Sequence, residues 1–594
     1  MLSICVIRSG LVEPHVCGLT GGRLCLCFGG RLQHLREAAS GRSAALCSAR
    51  FPFEHGGAAG YRSRADCQAM ESDRGAPGTS PNDGHELSAL TEPRVRRISR
   101  LCSRDERERA EALRELARTG RRETLLQLLR VSRTCPLEDV RRGATELLGA
   151  AQAAGVEVPR ELVSGPSTFI PDEEVLEDVV GQHDLVEAFL SMGRVDHVVT
   201  VMTLHPTYLS CFLHTQQALL QHDGPLPQPW RHYIVVMAAA RHRCSYLVHL
   251  HSSWFLEMGG QESWLGGIHS APPKLRRLNL LNKLLAHRPW LITRGHVEEL
   301  VSPGSEERWS LAELIQAVIL LTYAHSLSSF VWGCGINPEL DLPGGHTFRP
   351  PSPGRPHSPV PKAPGDRQGG SDQDSEVQRL MEKMQLLLEQ EGQFSQEDMV
   401  RRFEEERSET LLEAPCDDAQ FVSPDVSRFV EDPEFAYQDF APRGEQAPPT
   451  LRAQDYSWED HGFSLMNRLY PDMGQLLDEK FQVVLGLTYH TMAMHRDVDT
   501  SMLRKAVWNY IHCLFGIRYD DYDYGDVNQL LELNLKVYIK TVACHPEKTT
   551  HRMYSNFWKH FRHSEKVHIN LLLLEARLQA ALLYALRAIT RYMT

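Results

Sequence analysis

The sequence predicts an all-α protein, and three observations carry that prediction. Apolar residues recur at helical spacing along two long segments, 168–335 and 451–594. The alternating pattern typical of strands is nearly absent from both segments. Ser310 is followed three residues later by Glu313, which is the spacing of a capping box that opens a helix. We therefore expect two helical subdomains.

The apolar spacing also gives the predicted helices in order. In the first subdomain they cover 177–192, 195–204, 208–220, 230–256, 274–286, 293–300 and 311–326. In the second subdomain they cover 463–468, 475–494, 500–515, 526–542, 547–561 and 569–593. Because the chain ends inside the last predicted helix, we expect that helix to be buried.

The segment between the subdomains, 336–450, has the composition of a linker. Eight prolines fall between Pro343 and Pro364, and residues 371–420 hold fifteen acidic residues against five basic ones. We predict one helix near 376–388 and a mobile stretch after it.

The N-terminal part differs from the rest. Residues 1–95 predict a mostly disordered extension, and 96–167 predict three short helices (105–117, 123–129 and 137–153) followed by a linker. The first 50 residues carry six arginines, no lysine and two acidic residues. Such a composition is typical of an organelle transit peptide, but it also fits a disordered extension, which we favour.

Composition excludes several classes of function. A net charge of −12 argues against a nucleic-acid partner. The strongest apolar run, 569–588, is interrupted by Glu575, Arg577 and Arg587, so we predict a buried core helix and no membrane span. Six of the 14 cysteines lie before residue 70 and the others are scattered, which indicates a reducing compartment and no disulfide framework.

The segment 241–251 places a thiol, a phenol and an imidazole on neighbouring turns of one predicted helix. Cys244 and His251 are seven residues apart, two turns along roughly the same face. A thiol near an imidazole can be held as a thiolate, which attacks peroxides and disulfides. The alternative is a buried helix with a core cysteine and a hydrogen-bonded histidine.

Long motifs along the chain resemble those of the sestrin family, from about residue 168 to the end. The resemblance rests on the segments 169–171, 232–248, 284–293, 309–315, 515–525 and 585–594. It leaves the paralogue open, although 344–350 is most similar to the first member. It implies two related halves, each similar to the alkylhydroperoxidase (AhpD) fold, joined by a partly disordered linker.

The family resemblance also implies a function. It implies a stress-inducible, antioxidant-related regulator in the cytoplasm, with the nucleus as a second compartment. Such a protein restrains mTOR signalling by binding the GATOR assembly, and L-leucine bound in the second half releases that partner. The Rag GTPases are further candidate partners. No cofactor is expected.

The family's redox centre falls on Cys244, Tyr246 and His251. The bacterial peroxidases use Cys-x-x-Cys followed by His, and here Leu247 stands at the position of the second cysteine. A catalytic cycle of an alkyl hydroperoxide reductase type would therefore need an external thiol to reduce the sulfenic acid.

The family's leucine site is present in full. The resemblance assigns Glu565 to the ligand's amine and Arg504 to its carboxylate, because a buried zwitterion needs both an acid and a base. The threonine hydroxyls and the walls of the side-chain pocket complete the set: Thr488, Thr491, Thr500, Leu503 and Trp558. Without the resemblance, Arg504 and Glu565 have the pattern of exposed charges on helix surfaces.

The resemblance assigns Ser310, Asp520 and Asp521 to partner docking. The helix cap alone would explain Ser310, and a solvated acidic loop or a metal site would explain the two aspartates. His560, His563 and His568 lack the spacing of metal ligands, so no metal is expected.

Three functions remain open: an amino-acid-responsive regulator, a thiol-dependent peroxide reductase that uses Cys244, and a helical scaffold without a ligand. The complete set of acid, base and threonines favours the regulator. Leu247 at the position of the resolving cysteine weakens the hypothesis of a peroxide reductase.

Overall fold

The computed structural model is almost entirely helical in the part of the chain that it describes, as the sequence predicted. That part comprises residues 15–16, 26–27, 100–118, 121–159, 165–176, 182–302, 307–342, 370–389, 395–409, 426–440, 449–487, 491–493 and 495–594. The predicted disordered extension, 1–95, lies outside the described residues, apart from two short antiparallel strands. These are β1 (His15–Val16) and β2 (Leu26–Cys27), which belong to a unit of their own, Met1–Asn82.

The second unit, Asp83–Thr594, begins with the three predicted short helices, which are confirmed. They are α1 (Glu106–Arg118), α2 (Arg122–Thr134) and α3 (Glu138–Ala153). Leu113, Leu128 and Val140 form the apolar contact among them. Arg130 of α2 forms an ion pair with Asp341, 3.0 Å between Nε and Oδ2, with both side chains buried. This pair fixes the helices to the start of the predicted linker.

The first predicted subdomain is helical as expected. Its helices are α4 (Asp172–Leu176), α5 (His183–Met192), α6 (His197–Met202), α7 (Pro206–Leu220), α8 (Gln228–Arg241), α9 (Ser245–Glu257), α10 (Pro273–Arg277), α11 (Asn279–His287), α12 (Arg294–Val301) and α13 (Leu311–Gly333). Short 3-10 turns at Glu262–Gly266, Ile268–Ser270 and Pro289–Leu291 connect some of them.

The single helix predicted at 230–256 was wrong, because the chain turns between α8 and α9. The Cys244 N–H donates to the Ala239 carbonyl and the Arg243 N–H to the Ala240 carbonyl, which together form a Schellman motif. Arg243 has the left-handed conformation (φ 52°) that this motif requires. The apolar pattern did not reveal the turn because the residues on both sides of it are buried.

The predicted linker contributes more structure than its composition suggests. The predicted helix is confirmed and is longer, α14 (Gly370–Glu389). A further helix, α15 (Gln396–Glu409), lies where we predicted a mobile stretch. Its Phe403 and Glu406 are buried, and Lys536 Nζ lies 2.6 Å from Glu406 Oε1. Packing against the second subdomain therefore stabilises this acidic segment.

The second predicted subdomain is also helical. Its helices are α16 (Phe463–Leu469), α17 (Pro471–Gly486), α18 (Ser501–Leu514), α19 (Gly525–Leu530), α20 (Leu533–Cys544), α21 (His551–Asn556) and α22 (His563–Met593). Two strands, β3 (Leu451–Arg452) and β6 (Ile517–Arg518), pair in parallel.

The helix predicted at 475–494 extends too far, since α17 ends at Gly486. Beyond it, β4 (Thr491–Met492) and β5 (His495–Arg496) form a small antiparallel hairpin. Ala493, in the hairpin turn, has φ 53°. Such a turn requires positive φ, and it reverses the chain above the end of α17.

The core is built on α13 and α22, which pack against each other. Helices α8 and α11 pack against α13, and α17 and α18 pack against α22. Both central helices are long and apolar enough to cross a membrane, yet the most apolar window of each is 100% buried. They are therefore core helices of the compact unit that runs from Asp83 to Thr594.

Candidate functional site

A small cavity in the second subdomain is lined by five of the residues that the family resemblance assigned to leucine. These residues are Thr500, Leu503, Arg504, Trp558 and Glu565. Met492, Phe561, His568, Ile569 and Leu572 complete the lining. The hairpin contributes Met492, and Thr500 lies just before α18, which contributes Leu503 and Arg504. Helix α22 contributes Glu565, His568, Ile569 and Leu572. Thr488 lies outside the described residues, and Thr491 lies in β4.

The acid and the base of this cavity are buried. Arg504 is 5% exposed and Glu565 is 7% exposed. Their sequence pattern alone is that of helix-surface charges, and the structure overturns this alternative. The reason is that the loop before α22 and the β4–β5 hairpin cover faces that would otherwise meet solvent.

Glu565 is held by two backbone donors. Its Oε1 accepts from Ala493 N at 2.7 Å, and its Oε2 accepts from Arg562 N at 2.9 Å. Burial raises the pKa of this carboxyl, while the two N–H donors and the nearby Arg562 lower it. The Ala493 contact ties the hairpin directly to the cavity's acid.

Arg504, the base of the cavity, is also held by hydrogen bonds. Its Nε donates to the Leu485 carbonyl at 2.6 Å, and its guanidinium donates to the Thr500 hydroxyl. One partner lies at the end of α17 and the other just before α18. We call the described residues 491–493 and 495–500 the covering segment; the cavity's acid holds it at Ala493 and the cavity's base holds it at Thr500.

The cavity is small. Its volume is about 20 Å³, which is enough for one water molecule and too small for an amino acid. Trp558, which has φ 46°, stacks on Phe561 with ring centroids 4.2 Å apart and forms one wall. Admission of a ligand would require the covering segment or this aromatic wall to move.

The thiol of the predicted redox centre is buried. Cys244 is 0% exposed and immediately precedes α9. Burial raises its pKa to about 12, against the lowering effect of hydrogen bonds to Leu247 N–H and the Ser328 side chain. At neutral pH the group is a thiol, whereas thiolate chemistry requires the opposite shift.

Tyr246 and His251 interact with other partners. Tyr246 donates to Glu339 Oε1 at 2.6 Å. The Nδ1 atom of His251 lies 3.0 Å from Nδ1 of His232, so one ring donates and the other accepts. Burial lowers the pKa of His251 to about 3. A neutral imidazole paired in this way gives no electrostatic support to a thiolate at Cys244.

The predicted docking residues differ in exposure. Ser310 is exposed at the start of α13, where its Oγ accepts from Glu313 N at 3.2 Å, so the predicted capping box is confirmed. Asp521 is exposed. The Asp520 side chain is only 1% exposed and lies between two arginines, with Oδ1 at 2.8 Å from Arg518 Nε and Oδ2 at 2.8 Å from an amino group of Arg452. A fully solvated acidic loop is therefore wrong for Asp520.

One buried charge cluster gave no signal in the sequence. Lys480 of α17 and Glu575 of α22 form an ion pair of 3.1 Å with both side chains 0% exposed, and Tyr208 of α7 donates its hydroxyl to Glu575. The sequence indicated only that Glu575 interrupts an apolar run. The cluster joins α7 of the first subdomain to α17 and α22 of the second, and α22 also lines the cavity.

Fold and site together define a class: an all-helical protein built on two buried central helices, with a small, charge-lined cavity in its second half. The chain belongs to the sestrin family. The model of that family, PA26 p53-induced protein (sestrin), matches residues 165–593, so the resemblance seen in the sequence is confirmed. The chain therefore has the stress-inducible role of a sestrin.

Curated relatives give the same result. The chain is 62% identical to Sestrin-2 of Mus musculus over 440 residues, which cover 72% of this chain and 91% of the relative. It is 55% identical to Sestrin-1 of Xenopus laevis over 455 residues, or 74% of this chain and 94% of the relative. It is 52% identical to Sestrin-3 of Mus musculus over 464 residues, with coverages of 74% and 94%. The identity is higher to this Sestrin-2 than to this Sestrin-1, whereas residues 344–350 had pointed to the first member.

Proposed function

We propose that the chain is a leucine-responsive regulator that binds the GATOR assembly and thereby restrains mTOR signalling. Leucine bound in the second subdomain releases the partner. The observation that carries this proposal is the pairing of a buried acid, Glu565, with a buried base, Arg504, around one cavity. A free amino acid brings one charge of each sign, and burial of a charge is costly unless it is paired.

The contacts around the cavity suggest how leucine acts. The Glu565 carboxylate accepts from the hairpin, and Arg504 donates to Thr500 at the end of the covering segment. A ligand ammonium and carboxylate would compete for these same two groups. Binding would therefore break the contacts of Ala493 and Thr500, and the resulting movement of the hairpin is the change that the partner senses.

Docking rests on a smaller surface than the sequence suggested. Ser310 and Asp521 are exposed and can contact a partner, whereas Asp520 orients the loop through Arg452 and Arg518. The Rag GTPases remain further candidate partners. Seven cysteines in the described part of the second unit, from Cys102 to Cys544, are free thiols, which supports a cytoplasmic or nuclear location.

The experiment is a pull-down of GATOR from cells with the full chain and its variants, with and without leucine. Asp521→Asn should weaken capture while leaving leucine binding intact, because Asp521 lies outside the cavity. Arg504→Ala should capture the partner and fail to release it on leucine addition. Full capture by Asp521→Asn would contradict the docking assignment, and normal leucine release by Arg504→Ala would contradict the ligand site.

A peroxide reductase that uses Cys244 receives no support from the geometry. The thiol is buried with a raised pKa, and His251 interacts with His232. We therefore propose that the protein exerts its antioxidant role through signalling and that Cys244 does not reduce peroxides.

A further inference from the structure

A second and much larger cavity lies on the other side of the aromatic wall. It has a volume of about 390 Å³ and lies between α14, the α19–α20 junction and the segment 556–561. Trp558 and Phe561 line both cavities, but Arg504 and Glu565 line only the smaller one. Small-molecule pockets have volumes of about 300–1,000 Å³, so this cavity is large enough for a ligand as it stands.

The floor of the larger cavity is apolar. Val377 of α14, Leu530, Leu531 and the Trp558 ring line it, and each is at most 9% exposed. An apolar floor of this size favours a ligand with an aromatic or aliphatic body.

The rim carries an excess of positive charge in a chain whose net charge is −12. Arg379 and Lys383 of α14 and Lys559 are exposed at the rim, opposite one acid, Glu532. Glu532 Oε1 already accepts from Trp558 N at 3.2 Å. Neither Arg379 nor Lys559 forms an ion pair with any residue that the structure describes.

We propose that this cavity is a binding site for a small organic anion with an apolar body. The apolar floor takes the body, and Arg379, Lys383 and Lys559 take the carboxylate, sulfonate or phosphate group. The amides of Asn534 and Asn556 at the rim supply donors and acceptors for further polar groups. The site shares the wall of Trp558 and Phe561 with the leucine cavity but none of the charged residues of that cavity.

The test compares two fluorescent probes that share an aromatic body. One is 8-anilino-1-naphthalenesulfonate, an anion, and the other is N-phenyl-1-naphthylamine, which is uncharged. Each is titrated into the full chain and into Arg379→Glu with Lys559→Glu. We expect the anion's affinity to fall about tenfold, because two exposed charges change from attractive to repulsive. The uncharged probe should keep its affinity within about twofold.

The matched control is Arg107→Glu with Arg114→Glu on α1. It makes the same change in net charge at residues that do not line the cavity. Both sites in this control are exposed, and it should leave both probes unaffected. Arg504→Ala should lose leucine and keep the anionic probe, so failure of one site is distinguished from failure of the other. An equal loss of anion affinity in the α1 control, or no loss in the cavity variant, would overturn the proposal.

Discussion

Cys244 shows how the surroundings of one residue decide its chemistry. The thiol precedes α9, and a helix N-terminus usually favours a thiolate. Here burial outweighs that effect and raises the pKa to about 12. Its sequence neighbours could not indicate this outcome, because the residues that enclose it include Ser328, from α13, 84 positions away along the chain.

We predict that Cys244 resists alkylation in the folded protein. At pH 8 a thiol with a pKa of about 12 has a thiolate fraction roughly three orders of magnitude below that of an unperturbed thiol with a pKa near ~8.5. The measurement is the iodoacetamide reaction rate of Cys244 from pH 7 to 10, followed by peptide mass spectrometry. His251→Gln should leave the profile unchanged. A midpoint below ~8.5 that moves in this variant would restore the thiolate hypothesis.

Arg504 and Glu565 mark the limit of residue-level prediction from sequence. Periodicity places both on helices, and charges on helices are usually exposed. The covering segment that buries them lies in a stretch whose apolar spacing indicated a continuous helix. Only the family resemblance selected the pair.

At the scale of elements, the sequence predicted which segments are helical better than where they end. Three short helices at the start and the long central helices were expected, since apolar spacing reports burial directly. The end of α8 and the start of α9 were missed because Arg243 adopts the left-handed conformation without being glycine or asparagine. Composition alone likewise missed α15, whose stability comes from contacts such as that between Lys536 and Glu406.

The α8–α9 turn yields a stability prediction. Arg243 is exposed and has φ 52°, a conformation that costs a residue with a side chain about 1–2 kcal/mol relative to glycine. Arg243→Gly should therefore raise the thermal midpoint. Arg243→Ala keeps the strain and serves as the matched control. If the two variants shifted the midpoint equally, the strain at this turn would not be the cause.

At the scale of the whole molecule, polar groups buried between the two subdomains join them. Arg577 of α22 donates to the His325 carbonyl at 2.7 Å and to the Ala286 carbonyl at 3.0 Å, both in the first subdomain. Tyr208 and the Lys480–Glu575 pair form a second such link. The predicted boundaries at 335 and 451 therefore lie within one compact unit, and α22 carries both the lining residues of the small cavity and these links to the first subdomain.

Buried histidines make the whole unit sensitive to acid. Burial lowers the pKa of His251, His512 and His568 to about 3 and that of His545 to about 4. In the unfolded chain these groups titrate near ~6.5, so below that pH the unfolded state binds more protons and stability falls. Each histidine contributes up to about 1.4 kcal/mol per pH unit. The buried carboxyls of Glu565 and Glu575, whose pKa values are raised, act in the opposite direction.

The thermal midpoint should therefore be nearly constant above pH 7 and fall from pH 6.5 to 5. The reason is that ten described histidines have lowered pKa values, whereas four described carboxyls, those of Asp526, Glu547, Glu565 and Glu575, have raised ones. Scanning calorimetry across this range measures the fall, and His512→Gln should make it shallower. A midpoint that rose as the pH was lowered from 6.5 would show that the carboxyls dominate.

The central claim, a cavity that pairs both charges of leucine, is tested most directly by changing the ligand. Isothermal calorimetry of the full chain should detect L-leucine and a weaker response to L-isoleucine, whose branched side chain fits the same walls less well. N-acetyl-L-leucine lacks the ammonium that Glu565 would bind, and L-leucinamide lacks the carboxylate that Arg504 would bind. Each should bind at least about tenfold more weakly, since a buried charge left unpaired typically costs ~2–5 kcal/mol. No heat with millimolar L-leucine, or equal affinity for the two derivatives and leucine, would contradict the account.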